Sequence, residues 1–186
     1  MENRKNFKGV FMSIWDFYLK ENDEKQLKLF VDLDGVLCDW FKAFRDLGPE
    51  VTKGLEGDVY EEKYGRDELW KQIAKHGKLE FWSEMGWTTD GKQLWNYIKK
   101  FNPTILTTPA NSKFSREGKK IWVTRELGPN VPIILSKDKY EQADTESILI
   151  DDYDKKIDNW VNRGDGIGIL HTSADKTIAE LKKYGF

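Results

Sequence analysis

Cysteine occurs once, at Cys38, and histidine twice in 186 residues. A single thiol excludes an internal disulfide framework and any multi-cysteine zinc site, and it fits a reducing, cytoplasmic compartment. Long apolar runs are also missing: none approaches the roughly 20 residues that span a bilayer. Glu2, Asp16 and Glu21 interrupt the stretch where a signal peptide would carry its apolar core, so neither export nor membrane association is expected. An excess of one charge is absent too, with 30 Lys plus Arg against 32 Asp plus Glu and a net charge of −2. No bulk basic field exists to gather nucleic acid. What the chain has in plenty is aromatic surface, 13% of residues with eight Trp, far more than a disordered solvating chain carries.

Val10, Phe11, Ile14, Trp15 and Tyr18 recur at helical spacing, and the spacing predicts a packing helix over 10–19 ahead of the first strand. That helix has two uses, covering an apolar face or mediating a homodimer. Leu27–Val31 is a short apolar run stopping at Asp32, as a strand buried on both faces would. Similar runs stand at Thr104–Leu106, Ile133–Leu135, Ile148–Ile150 and Ile167–Leu170, with helical patterns over 91–101, 115–127 and 174–184. The middle helix is read with Ile121, Trp122 and Leu127 on its apolar stripe. This alternation predicts an α/β fold, a doubly wound parallel sheet. Residues 39–87 break the alternation, with no convincing strand, several glycines and nine aromatics from Trp40 to Trp87, and are read as a helical insertion. The expected organisation is a helical extension at 1–26, a core of 27–38 and 88–186, and a small helical cap at 39–87. The aromatics of the cap have two possible uses, a small core and a ligand wall.

In an open α/β sheet, ligands bind at the carboxyl ends of the strands. Here those ends carry Asp32 and Asp34, then Thr107 and Thr108, then Lys137-Asp138-Lys139, then Asp151 and Asp152. Crowded carboxylates raise one another's pKa unless a divalent cation neutralises them. An all-oxygen donor set without His or Cys points to Mg²⁺ rather than zinc. A neutralised site with a lysine and a hydroxyl can grip phosphate oxygens, and an aspartate can then act as nucleophile.

Asp32-Leu33-Asp34-Gly35-Val36-Leu37 resembles the first motif of the haloacid dehalogenase-like phosphatase superfamily. Thr107, Lys139 and the pair Asp151-Asp152 match its other motifs in order, across most of residues 27–152. Within that superfamily VDLDGVLCDW, ILTTP, SKDK and LIDD are most similar to the 5'(3')-deoxyribonucleotidase branch, which carries a small helical cap after the first motif. The resemblance implies Asp32 as nucleophile, Asp34 as acid to the leaving oxygen and then base for water, and Thr107 and Lys139 as stabilisers of the transferring phosphoryl group. It implies Mg²⁺ held by Asp32, Asp151 and the backbone carbonyl of Asp34, with Asp152 acting through metal-bound water or by orienting its neighbours. Either Thr107 or Thr108 would be the phosphate-contacting threonine. Trp40 has two readings, stacking on a substrate base or packing in the cap core.

The expected function is therefore Mg²⁺-dependent hydrolysis of a small-molecule phosphomonoester through an aspartyl-phosphate, with a nucleoside monophosphate as substrate. Alternatives are the same chemistry on a sugar phosphate or a nucleic-acid end, or a phosphate-binding module without turnover. Asp151-Asp152 is also read as capping the helix that follows. Gly164-Asp165-Gly166-Ile167-Gly168 is read as a turn, and His76 and His171 as surface or satisfied histidines.

Overall fold

A computed structural model describes residues 27–186. The helix expected over 10–19 lies outside the described residues. Five strands, β1 (Lys28–Val31), β2 (Thr104–Thr107), β3 (Ile133–Leu135), β4 (Ser147–Asp151) and β5 (Ile167–Leu170), form one parallel sheet in the order β3-β2-β1-β4-β5. The fold is α/β and doubly wound.

Alternation along the strands divides the core in two. Leu29, Val31, Ile105, Ile148 and Ile150 face one side, where they join Leu94 and Ile98 of α6 (Gly91–Ile98), Trp122 and Val123 of α7 (Lys113–Glu126), and Leu181 of α9 (Ala174–Lys182). Phe30, Leu106 and Leu149 face the other, packed on Trp160 of α8 (Asp154–Gly164). Trp160 meets Phe30 edge to face at 5.3 Å between ring centroids. Helices on both faces explain why the strands read as continuous apolar runs. Each fully buried large side chain contributes about 1.5–3 kcal/mol.

Between β1 and α6 the chain runs through α1 (Trp40–Arg45), α2 (Pro49–Thr52), α3 (Gly57–Tyr64), α4 (Arg66–His76) and α5 (Leu79–Ser83). Its exit and return are pinned to each other: the Asp39 amide donates to the Gly86 carbonyl at 2.9 Å, and the Thr88 amide to the Leu37 carbonyl at 2.9 Å. The aromatics divide between a small core and a cavity wall. Phe44, Tyr60, Phe81 and Trp82 are buried with Leu69 and Ile73, while Trp40, Phe41 and Trp70 line a cavity. Helix α5 lies against α7 so closely that a Cβ on Gly118 would stand 2.4 Å from Trp82 Cβ.

Two local readings differ from the structure. Ile121 is exposed, because the buried stripe of α7 is Ser115, Gly118, Lys119, Trp122 and Val123, and Ile121 falls one residue, about 100° of helical turn, off that stripe. Asp151 and Asp152 do not cap α8, whose N-cap is Tyr153; Asp151 instead accepts the Tyr153 amide on Oδ1 at 3.0 Å.

Candidate active site

The strand order reverses between β1 and β4, since β2 and β3 lie on one side of β1 and β4 and β5 on the other. Crevices at such reversals receive ligands. Register fixes what stands there: Val31 pairs with Ile150, so Asp32 and Asp151 leave adjacent strands at the same level, and the Asp32 amide donates to the Ile150 carbonyl at 2.8 Å.

After Asp32 the chain curls back on itself. The Cys38 amide donates to the Leu33 carbonyl at 2.7 Å and the Gly35 amide to the Cys38 carbonyl at 2.8 Å, which returns the backbone beneath Asp34. Gly35 makes the curl possible with φ +77°, a region that L residues rarely adopt. Cys38 is fully buried in this curl, and burial pushes its thiol well above the ordinary value. It is packing material rather than a nucleophile.

Asp32, Asp151 and Asp152 each present a carboxylate oxygen, all within 4.8 Å of one another. Lys139, buried in the 3-10 turn Lys139–Gln142, bridges two of them, its Nζ 2.8 Å from Asp32 Oδ1 and 2.6 Å from Asp151 Oδ2. Burial works to lower the Lys139 pKa, but the two carboxylates prevail and raise it. Burial and the neighbouring carboxylates push Asp151 up to about 6 and the more exposed Asp152 up to about 7.

Asp34 has a different partner, one the sequence reading missed. Lys119, 0% exposed on α7, donates through Nζ to Asp34 Oδ2 and, at 2.9 Å, to Thr107 Oγ1. Its ammonium also lies 5.6 Å from the centroid of the Trp82 ring. Thr107 is fully buried at the end of β2, whereas Thr108 lines the cavity and donates its hydroxyl to the Ser136 carbonyl at 2.9 Å. Lys119 pairs with Asp34 and Lys139 with Asp32 and Asp151, so the acidic side chains outnumber the fully buried lysines among them by four to two. A hard divalent cation suits both that balance and the all-oxygen donors of Asp32, Asp151 and Asp152.

Above the carboxylates opens a cavity of about 450 Å³, within the ~300–1,000 Å³ typical of small-molecule sites. Asp32, Asp34, Lys139, Asp151 and Asp152 line one part of it, and Trp40, Phe41, Trp70 and Arg66 another. Trp40 stacks on Phe41 at 4.0 Å and on Trp70 at 5.4 Å between centroids, so it belongs to the aromatic packing and to the cavity wall at once. Arg66 on α4 lies over the Tyr153 ring at 4.5 Å, joining the helical insertion to the loop after Asp152. His171 is buried against Thr177, with 2.9 Å between Nδ1 and Oγ1, and His76 is exposed at the end of α4; neither lines the cavity.

No protein-family model matches the sequence, and no curated protein does. Solved structures do match in shape. A hydrolase from Streptococcus pneumoniae TIGR4 superposes with a TM-score of 0.53 at 13% identity, over 84% of this chain and 99% of that one. A HAD-superfamily hydrolase, subfamily IA, variant 1, from Geobacter sulfurreducens PCA superposes with a TM-score of 0.51 at 11% identity, over 84% and 97%. At such identities the likeness is one of fold.

Proposed function

We propose that the protein is a Mg²⁺-dependent phosphomonoester hydrolase working through an aspartyl-phosphate, with nucleoside monophosphates as its substrate class. The observation that carries this reading is a single cavity joining the Asp32, Asp34, Asp151 and Asp152 carboxylates and Lys139 to an aromatic wall of Trp40, Phe41 and Trp70. The fold shared with HAD-superfamily hydrolases supports the reaction class; the wall supports the nucleotide, since base stacking on aromatics is worth about 1–3 kcal/mol per base. Residues 39–87 act as a cap on the core of 27–38 and 88–186.

Asp32 attacks phosphorus, forming an acyl phosphate as the ester P–O bond breaks. Asp34 gives its proton to the leaving oxygen, and the nucleoside departs as a neutral alcohol. Asp34 then takes a proton from the water that attacks the acyl phosphate, releasing inorganic phosphate and restoring the Asp32 carboxylate. Lys139, which lines the cavity, offsets charge on the phosphoryl oxygens, while the fully buried Thr107 holds Lys119. Asp32, Asp151 and Asp152 would hold Mg²⁺, which when bound supplies Lewis-acid stabilisation of phosphoryl charge.

The test is phosphate release from ribo- and deoxyribonucleoside 5' and 3' monophosphates and from sugar phosphates, with Mg²⁺ and with chelator. Chelator-sensitive turnover concentrated on nucleotides is expected. Turnover on sugar phosphates alone would overturn the substrate class, and silence on every ester would overturn the reaction.

A further inference from the structure

Lys119 is a fully buried charge in the middle of a helix, four residues after Ser115 and four before Val123 on the buried stripe of α7. A buried ammonium is costly unless paired, and retaining one in a packing position calls for a use. Its partners are Asp34 and Thr107, so one side chain ties the curl after β1 to the end of β2. The seat is built for it. Gly118 brings α7 against α5, and the Trp82 ring lies beside the ammonium.

The second oxygen of Asp34 behaves differently. Oδ1 is buried and has no hydrogen-bond partner among the described residues, although Asp34 lines the cavity. A buried unsatisfied oxygen in a native structure needs an explanation such as a catalytic role.

Resting on the phosphatase reading above, we propose that Lys119 is the positioning residue of the acid–base step. It clamps Asp34 through Oδ2 and so holds the carboxyl where it delivers a proton to the leaving oxygen and later accepts one from water. Lys139 serves the nucleophile Asp32 and Lys119 serves Asp34, so the two buried lysines have separate tasks.

The test compares kcat/KM, which reports steps through phosphoryl transfer to the enzyme, for two kinds of ester in wild type and Lys119→Met. A nucleoside monophosphate leaves as a poor alkoxide and needs the proton; p-nitrophenyl phosphate leaves as a stable phenolate and needs it little. General acid catalysis is worth about 10²–10⁴-fold, so Lys119→Met should lower kcat/KM for the nucleotide by about 100-fold and for the aryl ester by only a few fold. Equal losses on both esters, or no loss on either, would overturn the assignment while leaving the phosphatase reading intact. Wild type that hydrolyses neither ester would overturn both. If Lys119→Met does not fold, as judged by its melting curve, Lys119→Gln replaces it: the amide still donates but reaches less far, and the same unequal loss is expected, with equal losses again overturning the proposal.

Discussion

Asp152 lies directly against Gly35: a Cβ built on Gly35 would stand 2.1 Å from Asp152 Oδ2. The glycine is required twice, by its φ of +77° and by the carboxylate it must leave room for. Asp152 is thereby seated beside Asp32 and Asp151.

Gly35→Ala should therefore do more than strain the turn. A non-glycine residue in such a backbone region costs about 1–3 kcal/mol, and the added methyl pushes Asp152 out of the acidic cluster. The Mg²⁺ concentration for half-maximal phosphate release should rise by about tenfold, read by metal titration of the folded variant. An unchanged metal requirement would show that Asp152 takes no part in holding the ion.

Trp40→Ala tests the aromatic wall. If the ring stacks on a base, KM for nucleoside monophosphates should rise by about tenfold or more, in line with about 1–3 kcal/mol per stacked base. KM for a small sugar phosphate should move little. Equal changes on both substrates, with a lowered melting temperature, would confine Trp40 to its packing against Phe41 and Trp70.

The crowded carboxylates predict a pH-dependent cost in metal-free protein. Asp152 is raised to about 7 by burial, then by Asp32 and Asp151, from 3.8 for the unperturbed group. The folded state then keeps a proton that the unfolded state has already released, so this group's contribution to stability falls as pH rises from about 4 through about 7. Asp152→Asn should raise the melting temperature of metal-free protein at pH about 7.5 and leave it nearly unchanged at pH about 4. Saturating Mg²⁺ should stabilise wild type more than the variant. A gain that is the same at both pH values would contradict the crowding.

Strand ends were legible in the sequence because they combine two strong local signals, a short apolar run and an abrupt carboxylate, as at Val31-Asp32 and Ile150-Asp151. Parallel pairing then brings Asp32 level with Asp151 without any further information. Lys119 was not legible, although a signal existed: it occupies the stripe defined by Ser115, Trp122 and Val123. A lysine in an apolar stripe ordinarily snorkels to solvent, and only the tertiary approach of Asp34 and Thr107 turns it inward. Arg66 and Tyr153 were hidden for the same reason, since their contact joins α4 to the loop after β4 across more than 80 residues of sequence.

The most direct measurement is the mass of Asp32 itself. Protein mixed with a nucleoside monophosphate and Mg²⁺, then quenched in acid within a turnover and digested, should yield the peptide carrying Asp32 with one added phosphoryl group. The modification should vanish with chelator, and Asp32→Asn should abolish both modification and phosphate release. Sustained phosphate release from Asp32→Asn at the wild-type rate, with Asp32 never phosphorylated in wild type, would contradict the account.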